Sequence, residues 1–324
     1  MATNKNGERI ALSHLRSDEA AQMLGVWLAP NGDNKKIIKE LKTAAVKWGG
    51  KVRRGNSSRQ EAWTALHSNI SAKLKHPLPA CTLTEKECKS IMYPAIQEAL
   101  PKSGVTSCIT TDIRDGPSRS GGAGVLSLFH YMGTSRTSIL VEHVFRDTPL
   151  GKNIRVCIED IVLDAGLYGL IWDMKFHDID KYIDVHSWVY AILKYNCAQN
   201  IRLSVDHGVL KGKRAGDCSI MSKALEYFSS VTDLRAINRI RLLFQVTSLS
   251  DICSANGKFL LHDYYLNTKS RRVCNAYDWP AKFRTSIKDF RKWRNLLHHI
   301  CHDNSKLLIY PCLLYTSDAA DEMD

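Results

Sequence analysis

Basic side chains are concentrated in one stretch of the chain, and their spacing suits contact with phosphate groups. Between positions 34 and 59 there are nine lysines and arginines and a single acidic residue, Glu40. A solvated helix face usually carries charges of both signs, so this one-sided run favours a polyanionic partner. A basic face that is merely solvated is the alternative. The residues predicted to contact phosphates here are Lys35, Lys39, Lys42, Arg53, Arg54 and Arg59.

Four more cations lie in two segments that contain several glycines. Five of the nine positions from 116 to 124 are Gly or Pro, a density that no helix or strand interior tolerates. This elbow is predicted to open a helix at 125–146, whose free N–H groups could receive a phosphate; a plain joining loop is the favoured alternative. Glycines at 208, 212 and 216 predict an exposed loop over 206–217. The cations predicted to bind nucleic acid in these segments are Arg119, Lys211, Lys213 and Arg214.

Acidic residues between 177 and 186 offer a different chemistry. Asp178, Asp180 and Asp184 could together hold a divalent cation and support a metal-dependent nuclease. Carboxylates four positions apart are common on solvated helices, however, and their spacing does not fix three of them in one site. The sequence therefore assigns no catalytic residue and no metal ligand, and the nuclease is the weaker alternative.

A helix is needed to present the basic run on one side. Apolar residues recur at helical spacing from Ile37 to Trp48, and Gly49-Gly50 is predicted to end this helix. Capping boxes that begin at Ser58 and Thr84 predict the next two helices. Further helices are predicted by apolar periodicity at 151–170, 178–200 and 218–247, and after Trp279-Pro280.

Strand signals are confined to short segments. Met23 to Ala29 is predicted to be one strand of an N-terminal β-hairpin, closed by the turn at 30–33. Asn256-Gly257 predicts a second, hairpin-like turn. The predicted fold class is therefore mainly α, with helical bundles, a short N-terminal β-hairpin and minor β elsewhere.

The composition favours a globular protein with a polyanionic partner. The 324 residues are 44% hydrophobic, which allows a sizeable core, and 45 basic against 33 acidic side chains give a net charge of +12. The chain has no bilayer-spanning apolar run and no secretory signal, and its ten cysteines lack framework spacing. We therefore expect no membrane partner and an intracellular location, cytoplasmic and/or nuclear.

Several short motifs, in order along the chain, resemble the part of non-LTR (LINE-like) retroelement reverse transcriptases that follows the catalytic palm. Leu24-Gly25-Val26 resembles the primer-grip strand of that family. Residues 121–128 resemble its glycine-rich element beyond the thumb, with Ala123 where the family has Leu. Weaker matches are Leu78-Pro79-Ala80, Ala99-Leu100-Pro101, Leu234 to Leu243 with Asn238 and Arg241, Leu249-Ser250-Asp251-Ile252, Gly257, Trp279-Pro280 and Trp293-Arg294.

The resemblance implies a fragment of such an enzyme. The family's catalytic Tyr-x-Asp-Asp motif is absent; the nearest string, at 182–185, lacks the second Asp and follows Leu24 instead of preceding it. The fragment would bind an RNA/DNA template–primer duplex, with Leu24 and Gly25 among its contacts. Polymerisation would require the missing N-terminal palm and fingers and the Mg²⁺ held in that palm. No cofactor is expected in the fragment itself.

The resemblance also divides the chain into regions. Residues 1–33 would be the β-hairpin at the end of the palm, and 34–115 a basic, thumb-like helical bundle. Residues 116–205 would be the glycine-rich elbow and a helical region, and 206–311 a C-terminal helical region. Residues 312–324 look like the translation of a sequencing adapter and are expected to be disordered. The main alternative is a non-enzymatic helical interaction or scaffold protein with solvated basic faces.

Overall fold

A computed structural model describes residues 16–106, 108–183, 187–266 and 285–301, together with the backbone of two short strands near the N-terminus. The chain divides into two compact units, Met1–Leu140 and Val141–Asp324. The region boundaries predicted at 33, 115 and 205 stay predictions. Features predicted at Asp184, at Trp279-Pro280 and over 312–324 lie outside the described residues.

The fold is mainly α, as predicted, with short antiparallel strand pairs at the N-terminus. The strands are β1 (Ala2–Thr3), β2 (Arg9–Ile10), β3 (Ala21–Met23) and β4 (Val26–Leu28). The helices are α1 (Lys35–Arg54), α2 (Arg59–Ala65), α3 (Ser71–Lys75), α4 (Glu85–Lys102), α5 (Thr111–Asp115), α6 (Leu128–His143), α7 (Pro149–Ala165), α8 (Phe176–Asp180), α9 (Trp188–Ala198), α10 (Ile220–Tyr227), α11 (Val231–Phe244), α12 (His262–Leu266) and α13 (Ile287–His299).

The N-terminal hairpin forms, but its turn is not where the sequence predicted it. Strands β3 and β4 pair antiparallel, with Met23 opposite Val26, so Leu24-Gly25 is the two-residue turn between them. Both residues have positive φ, 49° and 82°, as the tight hairpin turns that match strand twist require. The prediction of one continuous strand from Met23 to Ala29 is therefore wrong. Pro30-Asn31-Gly32 is a stronger turn signal in the sequence than Leu24-Gly25, although the hairpin turns at Leu24-Gly25.

The first unit is built on two parallel helices, α1 and α4. Asn34 donates to the Thr82 hydroxyl (3.0 Å) at one end, and Lys102 donates to the Gly55 carbonyl (3.0 Å) at the other. The predicted apolar stripe of α1 is buried. Ile37, Leu41 and Ala45 belong to one core cluster with residues of α4. The capping boxes at Ser58 and Thr84 are both present, which confirms the predicted starts of α2 and α4.

The sequence predicted that Gly49-Gly50 ends α1, and this prediction is wrong. Both glycines lie inside the helix. Gly49 is buried where α1 meets α4, and a Cβ there would stand 2.9 Å from the carbonyl oxygen of Pro94. The glycine therefore allows close contact between the two helices, and the helix continues because this packing outweighs the low helix propensity of glycine. A Cβ on Gly50 would meet only the end of the Arg54 side chain, at 3.8 Å.

Alanine substitutions at these two neighbouring glycines should have opposite effects. Gly49→Ala should destabilise the protein by about 1–3 kcal/mol, because the helices must separate to admit the methyl group. Gly50→Ala should stabilise it by up to about 1 kcal/mol through helix propensity alone. Urea unfolding of both variants measures the difference, and equal midpoints would contradict the close packing at Gly49.

In the second unit, α10, α11 and α13 pack together around aliphatic and aromatic residues, and α7 packs against α9. Phe244 at the end of α11 lies 5.4 Å from the Tyr264 ring and 5.8 Å from that of Trp293. The Trp293 indole donates to the Tyr264 carbonyl (3.1 Å), so its only polar atom is satisfied inside the core. Where one helix was predicted over 178–200, the structure has α8 and α9 with an undescribed segment between them.

The hairpin-like turn predicted at Asn256-Gly257 is confirmed. Cys253 and Leu260 form an antiparallel bridge across it, and Gly257 has φ 68°. The Asn256 side chain accepts from the Lys258 amide at 3.1 Å and closes the turn locally. None of the described helices combines the length and apolar character that crossing a membrane requires.

Candidate nucleic-acid interface

The outer face of α1 carries a line of predicted phosphate contacts. Lys35, Lys39, Lys42 and Arg53 fall within a sector of about 60° on the helix and extend over about 27 Å of its length. Lys35, Lys39 and Arg53 are exposed and Lys42 is half-buried. The sequence placed these cations correctly because the buried apolar stripe of α1 fixes which face meets the core.

A shallow depression of about 600 Å³ runs along this face, and we call it the lysine groove. Four lysine side chains border it, and the aliphatic side chains of Ile38 and Val46 and the Thr43 side chain form the rest of its wall. Val46 is 59% exposed, so the groove combines a small apolar floor with cationic edges. Its lining residues are Lys35, Ile38, Lys39, Lys42, Thr43, Val46 and Lys47.

Two lysines of α1 already have acidic neighbours. Lys35 Nζ lies 2.9 Å from the Asp33 carboxylate, and their hydrogen bond raises the pKa of Lys35. Lys36 pairs with Glu40 at 3.4 Å and lies 4.7 Å from the centre of the Trp27 ring. Exposed pairs of this kind contribute little and are easily exchanged for a phosphate.

The other lysines of the groove have no such neighbour. Within the described part of the chain, no carboxylate lies within ion-pair distance of Lys39, Lys42 or Lys47. Lys47 was not among the predicted contacts, although its place in the basic run marked it as exposed. Three adjacent cations without counter-charges raise the local positive potential, which is the electrostatic condition for attracting a polyanion.

The three predicted arginines lie at and beyond the C-terminal end of α1. The Arg53 side chain is 69% exposed, and its Nη1 lies 3.9 Å from Glu98 Oε1, which is a long distance for an ion pair. Arg54 donates its Nε to the Gly50 carbonyl at 3.1 Å, which leaves its terminal nitrogens to face solvent. Arg59 is exposed at the first residue of α2 and its side chain lies against Gly104. All three can reach a ligand without leaving a buried partner.

Comparisons with known protein families, with characterised proteins and with solved structures find no match for this chain.

The glycine elbow is closed by its own hydrogen bonds. The amides of Ala123, Gly124 and Val125 donate to carbonyls of residues 113, 116 and 114 at 2.8–2.9 Å. A Cβ on Gly122 would stand 2.1 Å from the Gly116 carbonyl oxygen, so glycine is required where the two strands of the loop touch. These amides are used internally, which supports the joining-loop interpretation over a phosphate cradle, while Arg119 at the tip is exposed.

The prediction that Arg214 is exposed is wrong. Its side chain is buried, and Nη1 donates to the Ser254 carbonyl at 2.9 Å. Lys213 is half-exposed and pairs with the buried carboxylate of Asp251 at 2.9 Å, whereas Lys211 is exposed. The glycines that suggested a free loop instead let the segment 206–217 close over the chain near Ser250, whose amide donates to Asp217.

Leu24 and Gly25, assigned to a primer-grip strand by resemblance, form the tip of the hairpin. Leu24 is 98% exposed, the highest value among the large apolar side chains described. The backbone at this position is a turn, so it cannot contact a ligand through a ladder of strand hydrogen bonds. Any contact by Leu24 and Gly25 would come from the tip itself.

The acidic residues at 178–180 are occupied by neighbours in the same unit. Asp178 accepts from Lys181 at 3.3 Å, and Asp180 accepts from the Tyr190 hydroxyl and lies 3.8 Å from Lys194. Asp184 lies outside the described residues. Among the residues that the structure describes, no cluster of three or more His, Cys, Asp or Glu side chains is arranged to hold a metal ion.

Proposed function

We propose that this chain binds a nucleic-acid duplex through the phosphates, with the lysine groove of α1 as the central contact. The observation that carries the proposal is that Lys39, Lys42 and Lys47, which all border the groove, have no ion-pair partner in the described part of the chain. Such contacts position a duplex without reading its sequence, so affinity should vary little between sequences.

The arginines extend this contact beyond the groove. Arg53, Arg54 and Arg59 continue the positive charge past the end of α1, where Gly55 breaks the helix. Planar guanidinium groups bind phosphate with two parallel hydrogen bonds, which lysines cannot do. Arg119, Lys211, Lys213 and the hairpin tip at Leu24-Gly25 are further proposed contacts, each less supported than the groove.

The duplex we propose is an RNA/DNA template–primer hybrid, and the protein a post-palm piece of a non-LTR reverse transcriptase. What supports this is the order of the motifs along the chain, beginning with Leu24-Gly25-Val26 and the glycine-rich segment 121–128. The sequence of the transcript upstream of Met1 tests it. We expect a Tyr-x-Asp-Asp motif a few dozen residues before Leu24, and an unrelated upstream reading frame would contradict the family proposal while leaving duplex binding to its own test.

Salt dependence tests the duplex proposal directly. If six cations each neutralise one phosphate, the logarithm of the affinity should fall against the logarithm of salt concentration with a slope of about −5. Fluorescence anisotropy of a labelled hybrid duplex, titrated with the full chain at several salt concentrations, measures this slope. A slope near zero, or equal affinity for a neutral polymer at low salt, would favour the scaffold alternative.

A further inference from the structure

A cavity of about 750 Å³ lies in the second unit, between α8, α9 and the segment that follows α9. Its volume is within the range typical of small-molecule sites. The cavity is lined by residues of 172–176, 193–197 and 200–203, all within one short stretch of sequence. We call it the Trp172 pocket.

The wall of the Trp172 pocket is aromatic and aliphatic. Phe176 and Leu193 are buried in the unit, and the Phe176 ring packs at 5.5 Å from that of Tyr190, which holds it in place. Trp172 is only partly buried and lines the pocket. The indole Nε1 is buried and has no acceptor among the described residues, so the ring face and not this donor is what the pocket offers.

The rim of the pocket is charged. Lys175 and Arg202 are both exposed, and neither lies within ion-pair distance of a carboxylate in the part of the chain that the structure describes. Asp173 is the one acidic side chain among the lining residues. The buried Asn196 side chain adds an amide to the wall. An occupant should therefore combine a flat apolar body with an anionic group.

We propose that the Trp172 pocket binds one unpaired nucleotide. The base would lie against the Trp172 ring, since every base has a face that stacks on an aromatic side chain. Its phosphate would pair with Lys175 and Arg202, and the Asp173 carboxylate would accept from ribose hydroxyls. The pocket belongs to the second unit and the lysine groove to the first, so the two proposals are tested with different variants.

Isothermal titration calorimetry of the full chain with AMP tests the proposal. Wild type should bind AMP, and Lys175→Glu with Arg202→Glu should weaken that binding by at least about tenfold, because both phosphate partners are reversed. The matched control is Lys152→Glu with Lys194→Glu, which makes the same charge change at exposed helix positions outside the pocket. Trp172→Phe is a second probe, which keeps a smaller ring and should weaken AMP binding because part of the stacking surface is lost.

The outcomes separate this proposal from the duplex proposal. The groove variant Lys35→Glu/Lys39→Glu/Lys42→Glu should bind AMP as wild type does, whatever its effect on duplex affinity. Absence of AMP binding, or equal loss in the pocket variant and its control, would overturn the pocket proposal. Loss of AMP binding in the groove variant would also overturn it.

A single-stranded oligonucleotide identifies the source of the nucleotide. Tighter binding of a short RNA than of AMP, sensitive to Lys175→Glu/Arg202→Glu in the groove-variant background, would place a strand in the pocket. Equal affinity for AMP and RNA would assign the site to free nucleotides, which share the same chemistry. Weaker binding of the matching DNA, and loss of that difference in Asp173→Ala, which removes the acceptor, is the result expected if Asp173 contacts the 2′-hydroxyl.

Discussion

Reversing the charges of Lys35, Lys39 and Lys42 together should weaken duplex binding by at least about a hundredfold near 0.1 M salt. Each phosphate contact releases a counterion, so three lost contacts each cost close to a factor of ten at this salt concentration. The new glutamates add repulsion to that loss. Anisotropy titration of a labelled hybrid duplex measures the change, and the salt slope should become shallower by about three.

Folding should be unaffected by these three substitutions. Lys39 and Lys42 have no ion-pair partner among the described residues, and the Lys35 side chain, which pairs with Asp33, is 89% exposed. The matched control, Lys73→Glu/Lys152→Glu/Lys194→Glu, has the same net charge but spreads the changes over three other helices. An equal loss of affinity in both variants would attribute binding to net charge and reject the groove as a site. No loss in either would favour the scaffold alternative.

Local signals in the sequence were enough to predict where α2 and α4 begin and which face of α1 meets solvent. The capping boxes at Ser58 and Thr84 depend only on residues three positions apart, and the buried stripe of α1 follows from helical period. The position of the lysines is therefore a consequence of patterns that need no tertiary information. The groove between their side chains could not be predicted from the sequence, because it depends on how Ile38 and Val46 pack to form its floor.

The wrong predictions at Gly49-Gly50 and Arg214 share a physical cause, which is contact between segments distant in sequence. Gly49-Gly50 reads as a helix end unless α4 is known to lie within 3 Å of the missing side chain. Arg214 reads as a surface cation unless its bond to the Ser254 carbonyl, 40 positions away, is known. Arginine is rarely buried, so its residue type alone predicts a surface position. Several arginines of this chain are buried, and the carbonyl oxygens that accept their hydrogen bonds make this burial possible.

The residues behind the weaker motif matches have structural roles in the second unit. Asp251 accepts from the Thr247 and Ser248 amides at 2.8 and 3.0 Å and thereby caps the turn that follows α11. Asn238 donates to the Asp164 carboxylate at 2.9 Å and accepts from Arg241. These contacts stabilise the unit, so the motifs at 234–243 and 249–252 do not add to the proposed nucleic-acid interface.

Arg241→Ala should be the most destabilising single substitution in the second unit, at about 3–5 kcal/mol. The side chain is fully buried, and burial lowers its pKa, an effect that the Asp164 carboxylate opposes. Its Nη2 donates to the Leu163 and Asp164 carbonyls at 2.6 and 2.9 Å. These carbonyls belong to the last turn of α7, where a helix lacks its own donors, so the guanidinium both caps α7 and ties it to α11.

The local backbone is shaped to admit this guanidinium. Gly166 ends α7 with φ 61°, and a Cβ there would stand 2.5 Å from the Arg241 Cζ. Removal of Arg241 therefore leaves a cavity, two carbonyls without their donor and a buried carboxylate without its counter-charge. Arg241→Lys should recover only part of the loss, because an ammonium cannot reproduce the planar fork that reaches Leu163, Asp164 and Asn238 together.

Arg235→Ala provides the matched control, since Arg235 lies on the same helix, is exposed and donates to the Lys181 carbonyl at 3.1 Å. We expect a loss of at most about 1 kcal/mol for this variant. Urea unfolding followed by tryptophan fluorescence, to which the buried Trp293 contributes with the six other tryptophans, compares the two. If Arg241→Ala unfolds at the same denaturant concentration as Arg235→Ala, the guanidinium does not hold α7 to α11, and the account of Gly166 as the space made for it is also wrong.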